Sequence, residues 1–341
     1  MKRAIWILVS VLSLGAVVWW ASRQQAPQLP TSAVGASWLA ASLGVYAVAL
    51  ALRGWRWHRI MILAGIPHRR ADAFRLTLVA YMGNTVLPAR GGEVLRVSIM
   101  GTRTSARLRE VVGSVIAERL LDFATVAAIF VVLTWEGVAG APTGRLSADI
   151  AAGVIAAAAV ALMAYLSLRR RGRFHSFAAR VRPFARASRI FARPEGIPLA
   201  GVSVVIWVLE ATTLLLVGRS LGLHLSALDA LLTTVIASLF TALPAGPGYA
   251  GSYDAGVLLA LHASGIAGSD AVGFLLLARF VVFVPVTLVG LVILVARYGG
   301  LRRGAGRERL ERESRDAQAL LRSPLPVAGA ATTCPPAREH D

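Results

Sequence analysis

The stretch Asn84-Thr-Val-Leu-Pro-Ala-Arg-Gly-Gly-Glu-Val-Leu-Arg96, called the first break below, joins two apolar runs. Pro88 disfavours helical geometry at the residue before it, and Gly91-Gly92 give the backbone free torsions. The first break therefore predicts a helix, a sharp interruption and a second helix. Three charged residues in it lie between segments that are apolar enough for a membrane: Arg90, Glu93 and Arg96.

A related stretch returns late in the chain as Thr241-Ala-Leu-Pro-Ala-Gly-Pro-Gly-Tyr-Ala-Gly-Ser-Tyr-Asp254, called the second break below. Both breaks contain Leu-Pro-Ala, then a glycine-rich turn, then an acidic residue. This recurrence predicts an internal repeat with halves at about 1–140 and 141–300. The predicted hinge residues are Pro88, Gly91, Gly92, Pro244, Gly246, Pro247, Gly248 and Gly251.

The composition is that of a polytopic α-helical membrane protein. Apolar residues make up 56% of the 341 residues and charged residues only 16%, and the mean hydropathy is +0.64. A chain of this length holds about ten membrane segments of ~20 residues each. The net charge of +18 resides mainly in arginines beside the apolar runs. We therefore expect topology-determining loops, with anionic lipid headgroups as their partners, and no nucleic acid.

Neither a cofactor nor a metal site is predicted. Cys334 is the only cysteine, and the six histidines are scattered without ligand spacing. Residues 1–20 start with Lys2 and Arg3 before an apolar run, as a signal peptide does. Because no clear small-x-small cleavage site follows, and Trp19-Trp20 is typical of an interfacial anchor, we predict a retained helix.

The apolar runs predict an all-α architecture of about six full crossings and two re-entrant helical hairpins. Segments 73–88 and 92–101 would be ~24 and ~15 Å long, short of the ~30 Å membrane core. We therefore predict that they form a hairpin that enters and leaves on one side, and that 227–244 and 249–263 form a second hairpin or two crossings. The predicted segments are 4–20, 33–52, 73–88, 92–101, 111–134, 147–168, 198–222, 227–244, 249–263 and 270–296.

The distribution of basic residues predicts the orientation. With this topology, 29 of the 36 lysines and arginines fall on one side, in the N-terminus, 53–75, 102–110, 169–193 and the tail. The positive-inside rule then places both termini in the cytoplasm of a bacterium, with the protein in its cytoplasmic membrane. Each half has three net crossings, so the halves form an inverted repeat. Residues 301–341 are predicted to be a basic cytoplasmic tail, partly disordered.

Ionisable residues within the membrane segments are the candidate site, because each costs ~2.5–3.5 kcal/mol to insert. Glu118 and Asp122 lie four residues apart on one helical face, and Arg119 points about 100° away. Two compatible interpretations are open: an ion-pair network that ties segment 111–134 to the first break, or a cavity that binds a charged headgroup, with Arg90 or Arg96 on a phosphate. The candidate substrate-binding residues are Asn84, Arg90, Glu93, Arg96, Glu118, Arg119, Asp122 and Asp254.

Three further interpretations concern the remaining charged residues. Glu210 and Arg279 are predicted to pair across two segments. The turn before Asp254 holds an anion or reverses the chain. An interfacial role in anchoring is predicted for Arg53, Arg56 and Trp57.

Four motifs together resemble a known family. In chain order they are Arg53-x-x-Arg56-Trp57, Gly83-Asn84-x-x-Leu87-Pro88-x-Arg90-x-Gly92-Glu93-x-x-Arg96, Glu118-Arg119-x-x-Asp122 and Leu243-Pro244-x-x-Pro247-Gly248-x-x-Gly251. The chain resembles, over about 1–300, the lysylphosphatidylglycerol synthase transmembrane-region family, also called flippase-like domain proteins. The resemblance implies a membrane protein that moves lipids between leaflets. Asp254 stands where the family more often has glutamate.

The resemblance does not carry synthase activity with it. In the synthases, a soluble cytosolic domain performs aminoacyl transfer, and only about forty residues follow residue 300 here, too few for such a fold. We therefore expect a translocator of a polar-headgroup lipid and not an enzyme. Two alternatives are open: a membrane-embedded enzyme on a lipid-linked substrate, or a partner subunit that recruits a cytosolic enzyme through 169–193. Against the enzyme, we find no Asp-x-Asp metal pair, histidine cluster or serine nucleophile motif.

Overall fold

The structure is a computed structural model that describes residues 30, 32–87, 90–135, 194–242 and 247–299. These residues form helices joined by short links, and no strand occurs among them. The helices are α1 (Ala33–Leu63), α2 (Arg70–Val86), α3 (Gly91–Arg103), α4 (Leu108–Trp135), α5 (Gly196–Ser220), α6 (Ala227–Phe240), a 3-10 turn (Pro247–Tyr249), α7 (Ser252–Ala263), α8 (Gly268–Ile293) and a π-helical turn (Leu294–Tyr298). The all-α prediction is confirmed over this part of the chain.

Three of the described helices are long and apolar enough to cross a membrane: Ala33–Leu63, Gly196–Ser220 and Gly268–Tyr298. Helix α4 has 28 residues, but Glu118, Arg119 and Asp122 interrupt its apolar run. The predicted segments 4–20 and 147–168, the loop 169–193 and the tail 301–341 lie outside the described residues. The predicted number of crossings therefore stays a prediction.

Helix α1 is longer than its predicted segment, which was expected to end at residue 52. It begins after Ser32, whose hydroxyl accepts a hydrogen bond from the Gly35 N–H, and continues to Leu63. The stretch 53–59, predicted as a surface loop, is thus helical. Its arginines Arg53 and Arg56 pair with carboxylates of other helices. Because their charges are paired, these residues can be buried inside the protein and need not lie in a surface loop.

The first break has the predicted form of two helices around an interruption. Leu87 is extended, with φ −96° and ψ 143°, as a following proline favours. Arg90 then adopts the left-handed region, with φ 56° and ψ 38°, and precedes α3. A Cβ on Gly92 would overlap the carbonyl oxygen of Ala80, so only glycine lets α3 pack so closely on α2. Pro88 lies outside the described residues.

The second break also separates two helices that pack on each other. Its 3-10 turn contains two residues with positive φ, Gly248 at 62° and Tyr249 at 55°. Gly251, at φ 83°, comes just before α7. A Cβ on Gly256 would lie 2.9 Å from the Ala237 Cα, so this glycine brings α7 against α6. The other predicted hinge residues here, Pro244 and Gly246, are not among those described.

The centre of the fold is the pair α1 and α5, which pack along each other. They run antiparallel, because Gly35 at the start of α1 approaches Ser220 at the end of α5, whereas Arg56 reaches Ser203. Helix α2 packs on α1 and α3, and α6 packs on α5 and α7. Helix α8 lies on α2, where Gly290 admits the Leu78 backbone. These contacts surround the space described next.

Candidate functional site

A cavity of about 370 Å³ lies at the centre of these helices. Helices α1, α2, α4, α5, α6, α7 and α8 and both breaks contribute to its wall. Its charged lining residues are Arg53, Arg90, Arg119, Asp122 and Glu210. Its other polar or aromatic lining residues are Tyr46, Tyr81, Asn84, Thr85, Phe123, Trp207, Thr213, Thr234, Ser238, Thr241, Tyr249, Tyr253 and Phe283.

The arginines of α1 form the first part of an ion network behind and along this wall. Arg53 donates two hydrogen bonds to Glu210 of α5 and lies 3.6 Å from Asp122. One turn on, Arg56 lies 2.7 Å from Asp122 and 3.4 Å from Glu118. Arg56 also donates a 2.7 Å hydrogen bond to the Ser203 hydroxyl. These contacts join α1 to α4 and α5.

The arginines of α3 and α4 complete the network. Arg96 bonds Glu93 at 2.7 Å and Glu118 at 2.9 Å, and its guanidinium lies 4.4 Å from the centre of the Trp57 ring. Arg119 bonds Glu93 and, at 3.3 Å, Asp122. The members of this ion network are Arg53, Arg56, Glu93, Arg96, Glu118, Arg119, Asp122 and Glu210.

The ion network is electrically balanced, with four arginines and four carboxylates. Its most buried members, Arg56, Arg96 and Glu118, are at most 1% exposed. Charges this deep are tolerated only when paired and hydrogen-bonded. The network interpretation of the sequence is therefore correct, and the network is larger than predicted because α1 and α5 take part in it.

Arg90 lies on the cavity wall outside the ion network. Its Nη2 donates a 3.0 Å hydrogen bond to the Thr241 carbonyl in the second break. Its guanidinium lies 5.6 Å from the centre of the Tyr249 ring. Among the described residues, no carboxylate comes within 4 Å of it. Arg90 is thus a cavity cation whose charge is not matched by a neighbouring carboxylate.

The eight predicted substrate-binding residues fall into three groups. Asn84, Arg90, Arg119 and Asp122 line the cavity. Glu93, Arg96 and Glu118 are not part of its lining and lie in the ion network. Asp254 is elsewhere, in a separate ion pair described next.

The predicted pairing of Glu210 with Arg279 is wrong. Glu210 bonds Arg53, whereas Arg279 bonds Asp254, which is 1% exposed. The second oxygen of Asp254 accepts a 2.9 Å hydrogen bond from the Gly251 N–H. Asp254 therefore caps the start of α7 through the Gly251 N–H and also pairs with Arg279 of α8. This agrees with a chain-reversing turn.

The interfacial role predicted for Arg53, Arg56 and Trp57 also needs correction. All three side chains are buried, none more than 3% exposed. The Trp57 indole donates a 3.1 Å hydrogen bond to the Ser114 hydroxyl of α4. A basic-aromatic cluster resembles a membrane anchor in sequence, but here its charges pair with acids that lie 62 to 157 residues away.

Sequence reasoning missed the aromatic part of the cavity. Tyr46, Tyr81, Trp207, Tyr249 and Tyr253 line it and were not selected. A signal was available, because a tyrosine within an apolar helix must find a partner or water for its hydroxyl. The described residues contain no group of three or more histidine, cysteine, aspartate or glutamate side chains that could hold a metal ion.

Comparisons with known proteins agree with the motifs. The family described as the lysylphosphatidylglycerol synthase TM region matches residues 6–290. A UPF0104 membrane protein of Methanothermobacter thermautotrophicus is 25% identical over 278 residues, which cover 71% of this chain and 80% of that protein. No solved structure matches the chain. The protein is a membrane protein and belongs to the family of lysylphosphatidylglycerol synthase transmembrane regions.

Proposed function

We propose that this protein is a lipid translocator of the bacterial cytoplasmic membrane, which moves a polar-headgroup lipid between the two leaflets. The observation that carries the proposal is the central cavity, whose charged wall lies among helices with exposed apolar faces. A translocator needs such a space, because a headgroup cannot cross the hydrocarbon core without polar partners.

The size and lining of the cavity suit a lipid headgroup. Its volume of about 370 Å³ falls in the range of small-molecule sites. Five charged residues and several hydroxyl groups line it, together with five tyrosine and tryptophan rings. This mixture offers a headgroup both hydrogen bonds and ring contacts.

The cavity also has a side on which acyl chains could remain in the membrane. Phe123 lines the cavity and is 57% exposed, and Leu120, one turn before it on α4, is 49% exposed. The side chain of Arg119, which precedes Leu120 and also lines the cavity, is 31% exposed. An apolar, accessible helix face next to a polar cavity supports a lipid, rather than a soluble solute, as the substrate.

The helix arrangement supports an inverted repeat of two halves. We propose that α1 corresponds to α5, and that the pair α2–α3 corresponds to the pair α6–α7. In this proposal α2 and α3 form one re-entrant hairpin, and α6 and α7 form the other. The antiparallel packing of α1 on α5 is what an inverted pair requires. With both termini cytoplasmic, the first hairpin would enter from the cytoplasm and the second from outside.

The test is lipid translocation in proteoliposomes. A fluorescent phospholipid is quenched from outside, and the protected signal is followed for wild type, Ser238→Phe and Ser37→Phe. Ser238 lines the cavity, so the added ring should block transport, whereas Ser37 is exposed on α1 and its variant should transport normally. Intact lipid recovered afterwards separates translocation from enzymatic turnover. Protein-independent signal loss over a panel of lipids would contradict the proposal.

A further inference from the structure

We infer that the cavity selects a headgroup with a net negative charge on a phosphate beside hydroxyl groups, and that Arg90 receives the phosphate. The inference rests on the proposed function and specifies its substrate class. It also distinguishes this site from one built for a cationic, aminoacylated headgroup.

The first argument is the charge left over at the cavity. The four arginines of the ion network are matched by its four carboxylates, and Arg279 is matched by Asp254. Arg90 remains with the carbonyl of Thr241, its hydroxyl at 3.5 Å and the Tyr249 ring as its described partners. One uncompensated positive charge among membrane helices favours a ligand that brings the missing negative charge.

The second argument is that Arg90 is positioned in advance. Its backbone is in the left-handed region, which is costly for a residue with a Cβ and is retained only where the surroundings enforce it. The Thr241 carbonyl and the Tyr249 ring hold its guanidinium. Since a guanidinium has five N–H donors and this carbonyl uses only some of them, others are left for a phosphate oxygen.

The third argument concerns the acids of the wall. Asp122 is approached by Arg53, Arg56 and Arg119, and Glu210 accepts both of its hydrogen bonds from Arg53. A ligand ammonium would have to compete with these arginines for the same carboxylates. The cavity therefore offers a cationic headgroup no carboxylate that lacks an arginine, and it adds repulsion from Arg90.

The fourth argument explains the hydroxyl groups of the ligand. Four threonines of the wall already donate to backbone carbonyls of their own helices. The Thr241 oxygen also accepts a 3.5 Å hydrogen bond from Arg90. The oxygens of Thr85, Thr213 and Thr234 are left as acceptors, and acceptors recognise a ligand that carries O–H groups. A glycerol or sugar headgroup meets this requirement, whereas choline has no donor.

The test is equilibrium binding of short-chain lipids to the full-length protein in a neutral detergent, measured by calorimetry. Dihexanoyl phosphatidylglycerol carries one negative charge and two hydroxyls, and dihexanoyl phosphatidylcholine is neutral. We expect phosphatidylglycerol to bind at least about tenfold more tightly, as the loss or gain of a charge-assisted hydrogen bond implies. The lysyl ester of the same glycerol lipid, with its net positive charge, should bind more weakly than either.

Two variants locate the selectivity. Arg90→Gln should weaken the binding of phosphatidylglycerol, whose negative charge is otherwise uncompensated, far more than that of phosphatidylcholine, whose phosphate already has the choline cation beside it, and so abolish the preference. An unchanged melting temperature reports that the variant is folded. Arg219→Gln removes an exposed arginine of α5 outside the cavity lining and should keep the preference. Equal affinities in wild type, no binding of either lipid, or a preference that survives Arg90→Gln would overturn the inference.

The binding and translocation assays distinguish a failure of the inference from a failure of the proposed function. A protein that binds phosphatidylglycerol through Arg90 but moves no lipid would contradict the proposed function and keep the headgroup selectivity. A protein that moves lipids without charge preference would keep the proposed function and contradict the inference.

Discussion

The two breaks use a similar backbone to present different chemistry to one cavity. In each, the second residue after a proline adopts the left-handed region although it is not glycine: Arg90 after Pro88, and Tyr249 after Pro247. The first break is surrounded by the eight-membered ion network, whereas the second has a single ion pair, Asp254 with Arg279, among aromatic rings.

This difference indicates a division of labour. The left-handed residues meet in the cavity, where the guanidinium of Arg90 faces the ring of Tyr249. The side of the first break supplies charge, held in place by buried pairs, and the side of the second break supplies rings and the Thr241 carbonyl. A related pair of stretches can thus serve one ligand with two kinds of contact.

The largest expected effect on stability comes from replacing one buried carboxylate by its amide, in the ion network at the first break or in the ion pair at the second. Glu118→Gln removes one carboxylate partner from each of two fully buried arginines, Arg56 and Arg96. It should destabilise the protein by ~3–5 kcal/mol. Asp254→Asn keeps an acceptor for Gly251 and leaves Arg279, which is 27% exposed, so its cost should be smaller. Melting temperatures of the purified variants check the order, and an equal or reversed order would contradict the comparison.

A second, smaller effect should distinguish the glycines that pack the helices of each break. Gly92→Ala would place a Cβ against two backbone atoms, the carbonyl oxygen of Ala80 and the backbone nitrogen of Asn84. Gly256→Ala meets the Ala237 Cα at 2.9 Å and the Phe240 Cβ at 3.0 Å. Overpacking costs ~1–3 kcal/mol, and we expect the larger loss at Gly92, where the added Cβ would lie only 1.9 Å from a backbone oxygen.

The matched controls for these glycines are helical glycines with open surroundings. A Cβ on Gly44 or Gly201 would meet nothing within 4 Å. Alanine there should leave the melting temperature unchanged or raise it slightly, because alanine favours helix. If Gly92→Ala behaves like these controls, the close contact of α2 with α3 does not stabilise the fold.

The smallest effect tests the contact between the breaks. Tyr249→Leu removes the ring that faces Arg90 but keeps an apolar side chain of similar length. A cation–π contact of ~0.5–1 kcal/mol predicts a two- to fivefold weaker binding of dihexanoyl phosphatidylglycerol. The same change at Tyr46, which lines the cavity on α1, should have less effect, and equal losses would argue against a specific Arg90–Tyr249 contact.

The sequence predicted the helices and breaks well because their signals are local. Pro88 predicts the extended Leu87 at the end of α2. Gly91 and Gly92, predicted to give free torsions, lie instead within α3, and the left-handed residue before it is Arg90. The network around Glu118 was also anticipated, since buried charges demand partners. The partners of Glu210 and Arg279 were not anticipated, because each is the charge near the middle of an apolar helix and the sequence gives no distance between them.

The same limitation explains the error over Arg53, Arg56 and Trp57. A basic-aromatic cluster after an apolar run has the composition of an interfacial loop. Its burial depends on acids contributed by α4 and α5, far along the chain. The aromatic wall was missed for a related reason, as its rings come from five separate elements and form a pattern only in three dimensions.

The most direct test of the central claim, that the headgroup passes through this cavity, is a reversible block of the cavity. In a Cys334→Ser background, Ser238→Cys places a single thiol on the cavity wall, and Ser37→Cys places one on the exposed face of α1. Proteoliposomes are assayed for translocation before modification with a bulky methanethiosulfonate reagent, after it, and after reduction. The account predicts that transport by Ser238→Cys stops on modification and returns on reduction, while Ser37→Cys is unaffected. Unchanged transport by fully modified Ser238→Cys would contradict it.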